Sequence, residues 1–335
     1  MVVVTGGAGF IGSVFVWKLN KEGEDRILIV DSFLDTNSHS KWRNLVGLEF
    51  YDVVDKNNFF DIAQSIKVDV IFHFGAKTST TEKNFGLVLK ENYEFSKKLF
   101  LFALSRNIRF VYASSAATYG LGEKGFDDDE DMLPELIPLN PYAFSKHLFD
   151  LWLWRNNYFN YALGLKFFNV FGPNEYHKGE MRSFVAKAYE QILNYGKVRL
   201  FKSYVPEIPD GEQKRDFIYV FDVVDIVFYL FDKGKTGIFN VGTGKAHSFN
   251  SVVEFTFSAL GLEPKIEYFD MPESIKKQYQ NFTQANVRKL EEAGYDVSKI
   301  QNIKEKIQDY VKNYLSAGIK TVGEVLGMKN LKKNF

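Results

Sequence analysis

The run Val2-Val3-Val4-Thr5-Gly6-Gly7-Ala8-Gly9-Phe10-Ile11-Gly12 constrains the fold more than any other stretch. Its β-branched start reads as a short buried strand. The glycines that follow can be paired as Gly7-x-Gly9-x-x-Gly12 or as Gly6-x-x-Gly9-x-x-Gly12. Each glycine answers a physical need, whether a tight turn, close approach of backbone to a pyrophosphate, or close helix–strand packing. Ser13 to Asn20 has helical spacing, with Val14, Trp17 and Leu19 apolar. A helix opening near Phe10 would turn its free N–H groups and positive dipole end toward phosphates. A second apolar strand, Ile27–Val30, ends on Asp31, 19 positions after Gly12. Strand, glycine turn, helix and an acid at the next strand's end together specify a dinucleotide site.

The rhythm continues. Val68–Phe72 and Phe110–Ala113 are further apolar runs, separated by an amphipathic stretch from Asn92 to Asn107. Strands alternating with helix-length segments imply right-handed βαβ units. The expected class is α/β, a Rossmann-type doubly wound parallel sheet with a smaller α/β substrate-binding lobe. The dinucleotide domain is expected over 1–167, with a returning segment near 215–238. The lobe is expected over 168–214 and 239–320, and a tail over 321–335. Acidic, Pro-containing 126–141 reads as a solvated loop, Ser203 to Lys214 as another loop, and Lys329 to Phe335 as a frayed basic end.

Composition narrows the function classes. With 42 Lys+Arg against 42 Asp+Glu, the chain lacks the basic excess of a nucleic-acid binder. It has no cysteine, which removes disulfides, thiol nucleophiles and thiolate metal sites. No metal site is expected. The start shows no basic n-region or cleavage site, and no apolar run reaches about 18 residues. The expectation is a soluble cytoplasmic protein.

Within the cofactor half, Asp31 would ordinarily bond the adenosine ribose and favour NAD. Lys41, Arg43 and Lys56 oppose that, because each could reach a 2′-phosphate. Gly75-Ala76 fits a small-residue ledge, and Asn92 is either a helix cap or a cofactor contact. The catalytic candidates come from two strings. Ser114-Ser115-Ala116-Ala117-Thr118-Tyr119-Gly120 follows the strand Phe110–Ala113, and Tyr142-Ala143-Phe144-Ser145-Lys146 opens a helix. At a spacing of four, Tyr142 and Lys146 share one helical face. Free tyrosine is a poor base at neutral pH, but a nearby ammonium and a positive nicotinamide ring favour its anion. Ser115 would hydrogen-bond the reacting oxygen.

TGGAGFIG, SSAATYG and YAFSK resemble the extended short-chain dehydrogenase/reductase family, whose members process nucleotide sugars. Asn169 in FNVFGP, Arg215-Asp216-Phe217 in KRDFIYVFDVVD and Asn240-Val241-Gly242-Thr243-Gly244 extend the likeness over roughly residues 2 to 315. Less generic strings resemble its ADP-heptose 6-epimerase branch: GAKTSTTE, ENYEFSK, FNVFGPNEYHKGEM, KRDFIYV and YQNFTQA.

That resemblance implies Tyr142 and Lys178 as the two proton-handling groups, with Ser115 and Lys146 in the dehydrogenase roles. It implies cofactor contacts at Gly6, Gly9, Phe10, Ile11, Gly12, Asp31, Ser32, Lys41, Lys56, Gly75, Ala76, Lys77, Thr78, Ser79, Asn92, Lys146, Val170 and Lys178. Substrate contacts are implied at Asn169, Glu180, Lys187, Phe201, Lys202, Ser203, Tyr204, Arg215 and Tyr279. Glu180 and Lys187 depart from the residues usual there, Lys77 is unusual, and the 203–214 loop is long. Implied with them are bound NADP as a recycled oxidant, with NAD possible, and an ADP-heptose inverted at C6″ through a transient ketone. A homopentamer and a place in lipopolysaccharide core supply are also implied. A 4,6-dehydratase is disfavoured because Ala116 and Ala117 stand where its acids would be. A UDP-hexose 4-epimerase stays open, as does a non-catalytic NADP sensor.

Overall fold

A computed structural model describes residues 1–33, 40–79, 82, 84–276 and 279–327. Thr80 and Thr81 of the GAKTSTTE string, and the basic end Lys329 to Phe335, lie outside the described residues. Among the described residues the strands in chain order are β1 (Val2–Thr5), β2 (Ile27–Asp31), β3 (Asp52–Asp55), β4 (Val70–His73), β5 (Arg109–Ser115) and β6 (Ala162–Phe167). They continue with β7 (Asn169–Phe171), β8 (Val198–Phe201), β9 (Lys214–Tyr219), β10 (Gly237–Val241), β11 (Ala246–Ser248) and β12 (Ile266–Phe269). Seven of them form a parallel sheet in the order β10-β6-β5-β4-β1-β2-β3. The order reverses between β1 and β4, which opens a crevice at their carboxyl ends.

The pleat sorts the apolar residues onto two faces. Val2, Val4, Ile27, Ile29 and Phe72 pack on one side with Val14 and Leu19 of α1 (Phe10–Lys21). Val3, Leu28, Val30 and Ile71 pack on the other, with Phe100 of α2 (Phe95–Ser105) and Phe149 of α3 (Pro141–Arg155). Burying both faces requires near-continuous β-branched strands, and Val2–Val4 and Ile27–Val30 supply them.

Two glycines are dictated by geometry. A Cβ on Gly12 would lie 2.1 Å from the Gly6 carbonyl oxygen, so α1 could not start so close to β1. Gly6 has φ +68°, and a Cβ there would meet the Gly75 backbone at 2.6 Å.

The small lobe holds sheets β11-β9-β7 and β12-β8, with α4 (Phe184–Tyr195) and α6 (Phe249–Ala259) closing a third core around Ile192, Leu200 and Phe257. Three expectations are corrected. The segment 215–238 does not return whole: β9 belongs to the lobe, while α5 (Val220–Asp232) and β10 join the main body. Residues 321–327 are not tail, for Thr321 caps the helix Val322–Leu326 with a reciprocal Glu324 bond, and Val322 is fully buried.

The acidic 126–141 segment is not simply solvated. Glu130 accepts from the Ile238 N–H (3.0 Å) and Asp128 from the Asn240 N–H (2.7 Å). These alternate donors belong to the edge strand β10, so the carboxylates occupy what would otherwise be an open ladder. Asp128→Ala leaves a buried N–H unpaired. It is expected to cost about 1–3 kcal/mol, read as a lowered denaturation midpoint against a control at exposed Asp129.

Candidate active site

A cleft of about 360 Å³ lies over the carboxyl ends of the parallel strands. The glycine loop after β1 forms its floor, Gly75 to Ser79 after β4 one rim, and Ser115 at the end of β5 its centre. Tyr142 and Lys146 of α3 also line it, as does Lys178 on the loop after β7. Of the residues expected from sequence, Phe10, Ile11, Asp31, Lys41 and Val170 line it too.

The glycine loop is tied to its neighbours. Asp31 accepts from the Ala8 N–H (2.9 Å) and pairs with Lys41 (3.1 Å). Asn44 donates to the Ala8 and Asn174 carbonyls, each at 3.0 Å, linking the loop to the segment that carries Lys178. α1 begins at Gly9 with no side-chain cap, so its first N–H groups remain available to an anion.

At the reactive end, Tyr142 hydrogen-bonds Ser115. Burial pushes the Tyr142 hydroxyl above its usual value, the Ser115 bond opposes this, and the charge of Asp150 adds to the rise. Burial lowers Lys146 to about 8. Its ammonium donates to the Ala113 carbonyl (2.9 Å), so it braces β5 as well as facing the cleft. Its effect on Tyr142 was expected to be a direct lowering; burial instead leads the forces on that hydroxyl.

Lys178 rides on a short 3-10 stretch, Tyr176–Met181, which is kinked at Gly179 (φ +52°). Burial lowers its pKa, with the buried carboxylate of Glu175 opposing. Glu175 anchors that loop by accepting from Gly172 N–H, Ser183 Oγ, Ser183 N–H and Tyr310 OH. The Lys178 ammonium sits 5.3 Å from the Phe10 ring centre.

Other expected residues fall elsewhere. Lys56 pairs with Glu91 and does not line the cleft. Arg43 pairs with Glu324. Ser32 stands beside the site, its backbone carbonyl 3.4 Å from Lys41 Nζ. Asn92 is neither cap nor lining: fully enclosed, it accepts from the Lys77 N–H (2.7 Å) and donates to the Lys77 carbonyl and to Ser145 Oγ, both at 3.0 Å. It pins the rim to α3. Sequence reading missed Phe74, Ala113, Ser114, Phe167, Phe168, His177 and Met181, which also line the cleft. Five of these stand at or just after a strand's carboxyl end, a signal that would have found them.

The substrate candidates form a second group in the lobe, outside that cleft. Arg215 is 7% exposed, and its guanidinium lies 5.1 Å from the Tyr279 ring and 5.6 Å from Phe249. It donates to the Lys214 carbonyl and forms no ion pair among the described residues. Phe201 packs on Phe269 and Tyr279, and Tyr204 bonds the Lys276 and Tyr279 carbonyls. Ser203 closes a turn through Val205 and Asp210. Asn169 is an exposed residue at the start of β7, opposite Phe217. Glu180 and Lys187 pair with each other, and Lys202 with Asp270, at solvent-facing positions.

This geometry matches known proteins over nearly its whole length. A profile of the NAD dependent epimerase/dehydratase family matches residues 2–242. ADP-L-glycero-D-manno-heptose-6-epimerase of Nitratidesulfovibrio vulgaris Hildenborough is 45% identical over 322 residues, covering 95% of this chain and 98% of that one. The Helicobacter pylori protein of the same name aligns with TM-score 0.76 at 29% identity, over 93% of this chain and 95% of its own. The UDP-glucose 4-epimerase of Thermus thermophilus, solved with NAD, aligns with TM-score 0.74 at 26% identity, over 92% and 97%. With most of its length so matched, the chain belongs to the NAD dependent epimerase/dehydratase family.

Proposed function

We propose that this chain inverts C6″ of ADP-D-glycero-D-manno-heptose to give the L-glycero epimer, with NADP as its resident dinucleotide. The observation that carries the reading is the second amine: Lys178 faces the same cleft as the Ser115–Tyr142–Lys146 set. Where the carbinol oxygen lies on different sides of the cleft in the two epimers, one group takes its proton in one and a second group supplies it in the other. A sugar 4-epimerase of this fold manages with the serine–tyrosine–lysine set alone.

The residues fit a nicotinamide dinucleotide. The close approach of Gly12 to Gly6 sets the start of α1 against β1 at the cleft floor, where α1 offers free N–H groups. Lys41 supports NADP: it lines the cleft and neutralises Asp31, which would otherwise repel a 2′-phosphate. When bound, the dinucleotide supplies the hydride acceptor and donor. Tyr142 then takes the C6″ hydroxyl proton, Ser115 orients that oxygen, and Lys178 serves the opposite configuration. Arg215, buried with no ion-pair partner among the described residues, suits the diphosphate, whose two negative charges offset its desolvation. Fixing the diphosphate leaves the sugar end free to turn. The same reading carries a soluble cytoplasmic homo-oligomer, a pentamer by resemblance, supplying heptose for lipopolysaccharide core. Among the described residues, no helix is long and apolar enough to cross a membrane.

Two measurements test this. Denaturing the purified protein and weighing the released nucleotide is expected to give NADP. Turnover assayed on ADP-heptose and on UDP-galactose is expected only on the first; turnover confined to UDP-galactose defeats the proposal.

A further inference from the structure

Directly beneath the reactive groups lies an ion pair that the mechanism above does not use. Tyr142, Lys146 and Asp150 are spaced four apart on α3 and so share one face. Asp150 and Lys166 of β6 both have fully buried side chains, with Lys166 Nζ 2.9 Å from Asp150 Oδ2. Every polar atom of the pair is committed. Asp150 also accepts from Tyr112 OH (2.8 Å) and Ser114 Oγ (2.6 Å). Lys166 also donates to Thr118 Oγ1 (2.6 Å) and lies 4.9 Å from the Tyr119 ring centre. Thr118 Oγ1 in turn donates to the Ser115 carbonyl (2.8 Å). One half of the pair therefore grips the helix carrying Tyr142, the other the turn carrying Ser115.

We propose that Asp150–Lys166 is a positioning pair for proton transfer, fixing Tyr142 against Ser115 while Lys166 offsets part of the field that Asp150 exerts on the tyrosine. Two well-packed apolar residues would hold these elements together at no greater cost. What they would not supply is a balanced charge under a group that must ionise. Asp150 also favours the charged form of Lys146, so both signs are used. The other charged or titratable groups lining the cleft with Tyr142 are Asp31, Lys41, Lys77, Lys146, His177 and Lys178. Those facing Asp150 besides Lys166, Tyr142 and Lys146 are Tyr112, Tyr119 and His147.

This inference rests on Tyr142 as the proton acceptor, and the experiment separates the two. The acid limb of the kcat–pH profile is measured in the whole enzyme with ADP-heptose. Asp150→Asn keeps the shape and leaves Lys166 uncompensated, so the limb moves to lower pH by about one unit. Lys166→Met leaves Asp150 uncompensated, so the limb moves up by a similar amount, near a tenfold loss at fixed pH on that limb. The double variant brings the limb between those of the two single variants, at or slightly below the wild-type position, even if its melting temperature falls. A merely structural pair lowers the melting temperature and leaves the limb in place, which overturns the proposal. Should Lys166→Met not fold, the isosteric Asp150→Asn decides the sign by itself. If the wild-type limb survives in Tyr142→Phe, the tyrosine assignment fails instead.

Discussion

Tyr142→Phe is expected to lower kcat in both directions by roughly a hundred- to ten-thousand-fold, the usual worth of a positioned acid–base group. The substitution removes one oxygen and keeps the ring, so the wall of the cleft remains. The lost Ser115 bond is worth only about 1 kcal/mol to the fold, so melting temperature and bound dinucleotide should change little. That separation makes the result informative: a catalytic loss without a structural one. The pH dependence has a definite sign. The working form is the tyrosine anion, so rate rises with pH along the acid limb, and burial places that limb higher than a solvent-exposed tyrosine base with the same ligands would have it. Turnover unchanged in both directions removes Tyr142 from proton transfer.

The readable part of this protein was the part encoded locally. The Gly6–Gly12 loop, Asp31 and the Tyr142–Lys146 pair each depend on spacings within one strand–helix unit, and each lines the cleft. What escaped depends on contacts that only the tertiary register creates. Lys166 sits in the apolar run Ala162–Phe167, and nothing near it in sequence marks it as half of a pair. It meets Asp150 because β5 and β6 pair with Ser114 opposite Lys166. Asp128 and Glu130 read as a solvated run because their acceptors' partners, the Ile238 and Asn240 N–H groups, lie about a hundred residues away on an edge strand. Lys56, which resemblance implies on the cofactor, pairs with Glu91 and is not among the residues lining the cleft. Local chemistry was legible, while long-range neutralisation of buried charge was not.

Lys178→Met carries the other large expected effect, again roughly a hundred- to ten-thousand-fold in kcat. Methionine keeps an unbranched stem against Phe10 and leaves the Glu175 anchors of the loop untouched. Lys178 suits this role because burial lowers its pKa, bringing proton exchange nearer to neutral pH. The sharper expectation concerns Tyr142→Phe/Lys178→Met together. If each group serves one half-reaction, net epimerisation is limited by the slower half. Slowing both halves also slows the return of the ketone to substrate by a similar factor, so partitioning is nearly preserved. The double variant is then expected within a few-fold of the slower single variant, instead of showing the product of the two losses. Forward and reverse turnover of the three variants measures this. A multiplied loss means that the two groups act in the same step, and full activity in Lys178→Met means that the opposite configuration draws its proton from elsewhere.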